Sequence, residues 1–213
     1  MPRRPRNKFV NRGQILELRI EDYAFGGKGI GRLRSEQGEF VVFVANTLPG
    51  QLVKAKVAKS SKKYAECKLI DVLETSEEEI EVPYQDIPGA PYIKLPIELQ
   101  HKYKKESTLS LFQRIGKVEN IIDLFDEFVT SPNLFHYRNK MEYGFSAIGY
   151  DRTNKTDIDE FTLGFKRHGV WWMGDNLEKD SGLFDKQVED HLKVIRTFCK
   201  DSGRPPWHAP KKM

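Results

Sequence analysis

The chain has 213 residues, 38% hydrophobic, 31% charged and 11% aromatic, which supplies cores for one or two domains and excludes a disordered tail. No run approaches the roughly 18 apolar residues of a membrane span, the basic start MPRRPRNKFVNRG has no apolar stretch behind it, and two cysteines, Cys67 and Cys199, cannot build a disulfide framework. The net charge of +4 is uneven: residues 1–73 hold 15 Lys and Arg against 7 Asp and Glu, a balance of +8, which leaves −4 for the remainder.

A basic head on a mildly acidic body suits a polyanion partner, although a Lys-rich surface that only keeps a domain soluble gives the same count. Residues 1–13 read as a basic tail. From Gln14 onward the pattern is that of strands. Ile15–Ile20 alternates imperfectly, Ile30–Leu33 and Phe40–Val44 are short apolar stretches, and Leu52–Val57 and Tyr64–Leu73 alternate apolar with polar. Turn residues separate them: FGGKGIG at 25–31, Ser35–Gly38, the Pro-Gly of 48–50 and Ser60–Lys63. Five short strands within 14–74 predict a closed antiparallel β barrel of the OB type, a fold that commonly binds oligonucleotides.

The glycines of FGGKGIG could bring backbone N–H groups to a phosphate, but a dinucleotide fingerprint must open a helix, and here Arg32, Leu33, Arg34 and a second turn follow. A glycine-kinked turn in the barrel wall fits better. The cations Lys28, Arg32, Arg34, Lys54, Lys56, Lys62 and Lys63 are candidate phosphate contacts. Tyr23 and Phe25, beside the turn, are candidate base-stacking residues, because turns hold side chains exposed.

Residues 75–96, acidic and then proline-rich, read as a linker, and 97–213 as a mixed α+β domain. An amphipathic helix is predicted from Ile97 to about Gly116, with Leu99, Tyr103, Leu109, Leu111, Phe112 and Ile115 on its apolar side. Strands follow at 141–150, 161–166 and 170–173, with a polar loop at 151–160. A last helix at 182–201 carries Phe184, Val188, Leu192, Ile195 and Cys199 on one stripe and stops at Gly203, Pro205 and Pro206. Arg138 and Lys140 share one face of an extended segment with His136, which makes a phosphate-binding ridge or an ordinary charged face. Of Trp171 and Trp172, on opposite faces of one strand, one belongs in the core. His101, His136, His168, His191 and His208 are scattered, with no pair at i, i+3 or i+4 and no cysteine nearby, so no metal site is expected. Cys67 and Cys199 fall on inward faces, so both thiols are expected buried and inert.

YAFGGKGIGRL (23–33) with FVVFVANTLPGQLVKAKVAKSSKKYAECKLIDVL (40–73) resembles the TRAM domain, an RNA-binding OB-like barrel. HYRNKMEYGFS (136–146), TLGFKRHGVWW (162–172) and CKDSGRPPWH (199–208) look like elements that follow TRAM, in that order, in the RNA uracil-C5 methyltransferases. The resemblance implies methyl transfer from S-adenosylmethionine to uracil C5 in structured rRNA or tRNA, by way of a cysteine nucleophile and a carboxylate base. Many members hold an iron–sulfur cluster on four cysteines, three of them in a CxxxxxCGGC run before a YxxQxxxK helix. Here Gln100 and Lys104 keep that helix's register, but 84–90 contains no cysteine, so no cluster is expected.

Neither a glycine loop that opens a helix nor an activated cysteine is found. The chain is therefore expected to be the N-terminal, RNA-docking part of such an enzyme, inactive alone, with the S-adenosylmethionine site and the catalytic residues in a further domain. A cytoplasmic monomer is expected. The alternatives are a stand-alone, non-enzymatic RNA-binding protein and a module whose basic surface meets an acidic protein.

Overall fold

A computed structural model describes residues 9–36, 38–167, 170 and 172–206; the basic residues of 1–8, together with His168, Trp171 and His208, lie outside them. The chain forms two compact units, one made of the residues up to Glu81 with Pro91–Thr130, the other of Val82–Ala90 with the residues from Ser131 onward.

In the first unit, β1 (Ile15–Ala24), β2 (Lys28–Ser35), β3 (Gly38–Ala45), β4 (Leu52–Ser60) and β5 (Tyr64–Glu74) close into a barrel in the order β1-β2-β3-β5-β4. The expected five-stranded barrel is present, but one of its seams, β3 on β5, is parallel; the other four are antiparallel. Alternation places Leu16, Leu18, Ile20, Val42, Val44, Val53, Ala55, Val57, Ala65 and Cys67 inside, with the complementary side chains outside.

The β1–β2 register shifts between Ile20 and Asp22, so Glu21 is an extra residue in the ladder and Tyr23 pairs with Gly29. Tyr23 thereby joins the face of Gly29 and Gly31, where an added Cβ would meet Thr47 Oγ1 at 2.2 Å and Leu18 Cδ1 at 2.4 Å respectively. These two glycines admit close side-chain packing, and the turn between the strands is formed by Phe25, Gly26 and Gly27, with φ of +89° and +83° at the glycines.

The stretch read as a linker is divided between the units. Residues 75–81 and 91–96 pack with the barrel: the Gln51 side chain donates to Glu79 at 3.0 Å, and Ile80 N–H to the Lys94 carbonyl at 2.9 Å. Helix α1 (Ile97–Arg114) also belongs to this unit and not to that of residues 131–213. Leu99 and Tyr103 of α1 pack against the cluster of Tyr23, Leu48 and Leu95. The amphipathic expectation is corrected, since no α1 residue is fully buried and Phe112 and Ile115 are exposed. A four-residue helix, α2 (Ile121–Leu124), follows.

The second unit contains an antiparallel sheet of β6 (Gly144–Asp151), β7 (Thr156–Lys166) and β8 (Gly174–Asn176), with α3 (Val188–Asp201). The polar segment 151–160, expected as a loop, is mostly hairpin: β6 runs to Asp151 and β7 starts at Thr156. Among the described residues of the expected strand 170–173, namely 170, 172 and 173, none is in a strand; Trp172 lies in a turn, and its carbonyl accepts from the Ser146 hydroxyl at 2.6 Å. The core gathers Ile87, Leu163, Phe165, Leu177, Leu183, Phe184 and Leu192. Of the α3 stripe, Leu192 is buried and Val188 packs on this core, but Ile195 is exposed and Cys199 half-buried. No described helix is long and apolar enough to cross a membrane.

Candidate nucleic-acid interface

A groove of about 890 Å³ opens in the first unit between the outer face of β1–β3, the start of β5 and the C-terminal half of α1. The strand phase that sends Phe40, Val42 and Val44 inward turns Val41 and Phe43 out. In the parallel seam Val41 stands beside Tyr64, and Phe43 meets Tyr64 edge-on at 5.7 Å and 71°. Phe25, 61% exposed at the hairpin tip, lines the same groove, and Lys28, Arg32, Lys63 and Arg114 provide its positive charge.

Several of the barrel cations are already paired. Lys28 meets Glu66 at 3.2 Å, and Glu66 also takes Lys59 at 3.4 Å. Arg32 holds Glu21 at 2.6 Å and Glu39 at 2.9 Å, and Arg34 shares both carboxylates at 3.0 and 3.7 Å. The Arg32 hydrogen bond is the largest influence keeping the Glu21 carboxyl below its ordinary range, and Lys28 does the same for Glu66. Most of these pairs are exposed and therefore weak, so they can give way to a competing anion. Lys63 and Arg114 have no ion-pair partner among the described residues.

The groove thus gathers five residues singled out in the sequence, Phe25, Lys28, Arg32, Lys63 and, as part of its buried floor, Tyr23, and adds Phe43, Tyr64 and Arg114. Their only trace in the sequence is outward phase for the two aromatics and, for Arg114, a place in the last turn of α1. Tyr23 is corrected: it is 2% exposed, its ring packs edge-on against Tyr92 and Tyr103, and its hydroxyl donates to the Pro91 carbonyl at 3.3 Å. Burial pushes its phenol pKa up. It anchors α1 and is not available for stacking on a base.

Arg34 and Lys62 are exposed but do not line the groove. Lys54 and Lys56 lie on β4, Lys54 opposite Glu17 and Asp71 and Lys56 beside Lys68. Arg138 and Lys140 are exposed residues of the second unit, on a segment that is not a strand. His136 has φ +55°, which breaks the extended alternation that put the three on one face. Its Nδ1–H donates to the Phe184 carbonyl, and Nε2 stands 3.5 Å from Asp180, so it serves to anchor the segment.

Residues 10–70 match the TRAM domain family. A protein named uncharacterized RNA methyltransferase from Chlorobaculum tepidum is 29% identical over 93% of this chain and 42% of its own length. One of the same name from Caldanaerobacter subterraneus is 33% identical over 91% of this chain and 40% of its own. The chain carries a match to the TRAM domain and is similar over about nine-tenths of its length to proteins named RNA methyltransferases. It spans about two-fifths of the length of these curated relatives. The solution structure of a conserved protein from Methanococcus maripaludis is similar to 29% of this chain and 83% of that one, at 37% identity and a TM-score of 0.26.

The glycines of the barrel are used for packing and turning. Its glycine-rich segment is a hairpin, and added Cβ atoms at Gly27, Gly29 and Gly31 would strike Pro91, Thr47 and Leu18. Cys67 is buried on β5, and burial pushes its thiol pKa up to about 11, the reverse of what a thiolate nucleophile needs. No group of three or more His, Cys, Asp or Glu among the described residues is placed to hold a metal ion.

Proposed function

We propose that this chain supplies the RNA-docking part of an S-adenosylmethionine-dependent RNA (uracil-C5) methyltransferase acting on rRNA or tRNA. One observation carries this: similarity to proteins named RNA methyltransferases extends past the TRAM barrel and through the second unit, over about nine-tenths of the chain. The barrel offers folded RNA cations and aromatics, with Lys28, Arg32 and Lys63 in the groove beside the exposed Phe25 and the half-buried Phe43 and Tyr64, and Arg34, Lys54, Lys56 and Lys62 elsewhere on the barrel. Arg138 and Lys140 add exposed charge on the second unit. The uracil-C5 assignment rests on HYRNKMEYGFS and TLGFKRHGVWW. The methyl donor, the nucleophile and the base are assigned to the length of the relatives that this chain does not cover.

Two measurements test the proposal. Affinity of the chain for a structured rRNA or tRNA hairpin, followed by fluorescence anisotropy, should fall by orders of magnitude between roughly 50 and 200 mM salt. The Lys62→Glu/Lys63→Glu variant should weaken binding and flatten the salt slope by about one per lysine. Affinity indifferent to both salt and charge reversal refutes RNA docking. In a protein of the relatives' full length, no methyl label on uridine C5 of unmodified rRNA and tRNA refutes the uracil-C5 assignment.

A further inference from the structure

We propose that the groove between the barrel and α1 takes a single-stranded RNA segment, one base lying against the Phe43–Tyr64 pair and the neighbouring phosphates on Lys63 and Arg114. The inference rests on the RNA-docking proposal and deepens it by naming the strandedness of the RNA and three residues not otherwise assigned a role.

The distribution of charge within the groove carries the argument. Lys28 is held by Glu66 and Arg32 by Glu21 and Glu39, so carboxylates offset these two cations, and Asp22 and Glu106 also line the groove. Lys63 and Arg114, one immediately before β5 and one in the last turn of α1, keep their charge unpaired among the described residues. A nucleotide has the complementary layout, a neutral aromatic base joined to anionic phosphates.

The aromatics decide strandedness. In a duplex the faces of the bases are covered by their neighbours, and an A-form helix offers a protein mainly its phosphates and 2′-hydroxyls. Only an unpaired base presents a π face to Phe43 and Tyr64. A volume of about 890 Å³ accommodates a few nucleotides and not a helix. On the α1 wall, Ser107 and Ser110 place hydroxyls that can donate to or accept from a base edge. Phe25 at the hairpin tip is a further exposed ring for the next base.

The test compares a fluorescein-labelled octauridylate with a blunt 16-base-pair RNA duplex, titrated by anisotropy with the 213-residue chain and with the Phe43→Leu/Tyr64→Leu variant. Stacking on aromatics is lost in the variant, so octauridylate affinity should fall about 5- to 150-fold while duplex affinity changes less than about 2-fold. The Arg114→Glu variant should lower octauridylate affinity and its salt slope. Tyr64→Trp keeps a stacking face and should bind as the parent does, with quenching of tryptophan emission beyond that of the parent titration. It reports on stacking even if the double leucine variant fails to fold.

Equal losses on strand and duplex, or unquenched binding by Tyr64→Trp, overturn the single-strand assignment. Salt-dependent RNA binding that persists alongside such a result leaves RNA docking standing. Failure to bind either RNA or the hairpin at low salt sinks both.

Discussion

Tyr23→Ala separates a buried anchor from an exposed stacking residue. The ring is 2% exposed, contacts Tyr92 at 4.8 Å and Tyr103 at 5.3 Å between centroids, and shares its cluster with Leu48 and Leu95. An aromatic side chain buries about 150–250 Å², which at about 25 cal/mol per Å² corresponds to about 4–6 kcal/mol as an upper bound. A compact unfolded state lowers that to about 3–4 kcal/mol, within the range for aromatic-to-alanine changes in cores. Tyr23→Phe removes only the hydroxyl, and its 3.3 Å bond to the Pro91 carbonyl puts the loss near the low end of about 0.5–1.5 kcal/mol.

Urea unfolding followed by circular dichroism reads both variants. For Tyr23→Ala the midpoint should drop on the order of 2 M, and for Tyr23→Phe by less than about 1 M. Tyr23→Phe should also bind RNA within about 2-fold of the parent, because its ring does not face the solvent. A Tyr23→Ala loss below about 1 kcal/mol together with a large loss of RNA affinity would refute the packing argument and return Tyr23 to the surface.

The inner-face glycines give a second prediction: Gly29→Ala would set a methyl 2.2 Å from Thr47 Oγ1 and 2.7 Å from Ile20 Cγ2, and Gly31→Ala one 2.4 Å from Leu18 Cδ1. Each should cost about 1–3 kcal/mol and lower the melting temperature by more than about 4 °C, so unchanged melts would show that the barrel relaxes freely. Acid titration gives a third, because Arg32 and Arg34 depress the Glu21 carboxyl below its ordinary value of 4.5 in the folded state. Below that value the unfolded chain takes up the proton first, so the pair's contribution is present at neutral pH and is lost as pH falls through the folded value. Urea midpoints from pH 7 to pH 3 should decline less steeply in Glu21→Gln than in the parent, and parallel declines would exclude the pair as a source of acid sensitivity.

Much of the barrel was legible because a strand's burial pattern is local. Leu52–Val57 alternates in the sequence and alternates in the barrel, and Ala65 and Cys67 point inward as their spacing requires. Arg32 and Lys63 were singled out by charge alone, and both line the groove. The segment 136–140 was misread because one left-handed residue, His136, ends the period-2 rule that the inference used.

What the sequence by itself determined is the set of strands, the residues that fill them and the basic character of the surface, since side-chain alternation and turn chemistry act over a few residues. The tertiary structure alone decided matters that depend on which strand meets which. One extra residue at Glu21 rotates Tyr23 from the expected exposed face into the core. The parallel seam of β3 on β5 sets Phe43 against Tyr64, 21 positions apart in the chain. Glu21 and Glu39 neutralise Arg32 and Arg34, while α1 joins the barrel and carries Arg114 to the groove. Register, bulges and helix docking are settled by long-range contacts, and no local pattern encodes them.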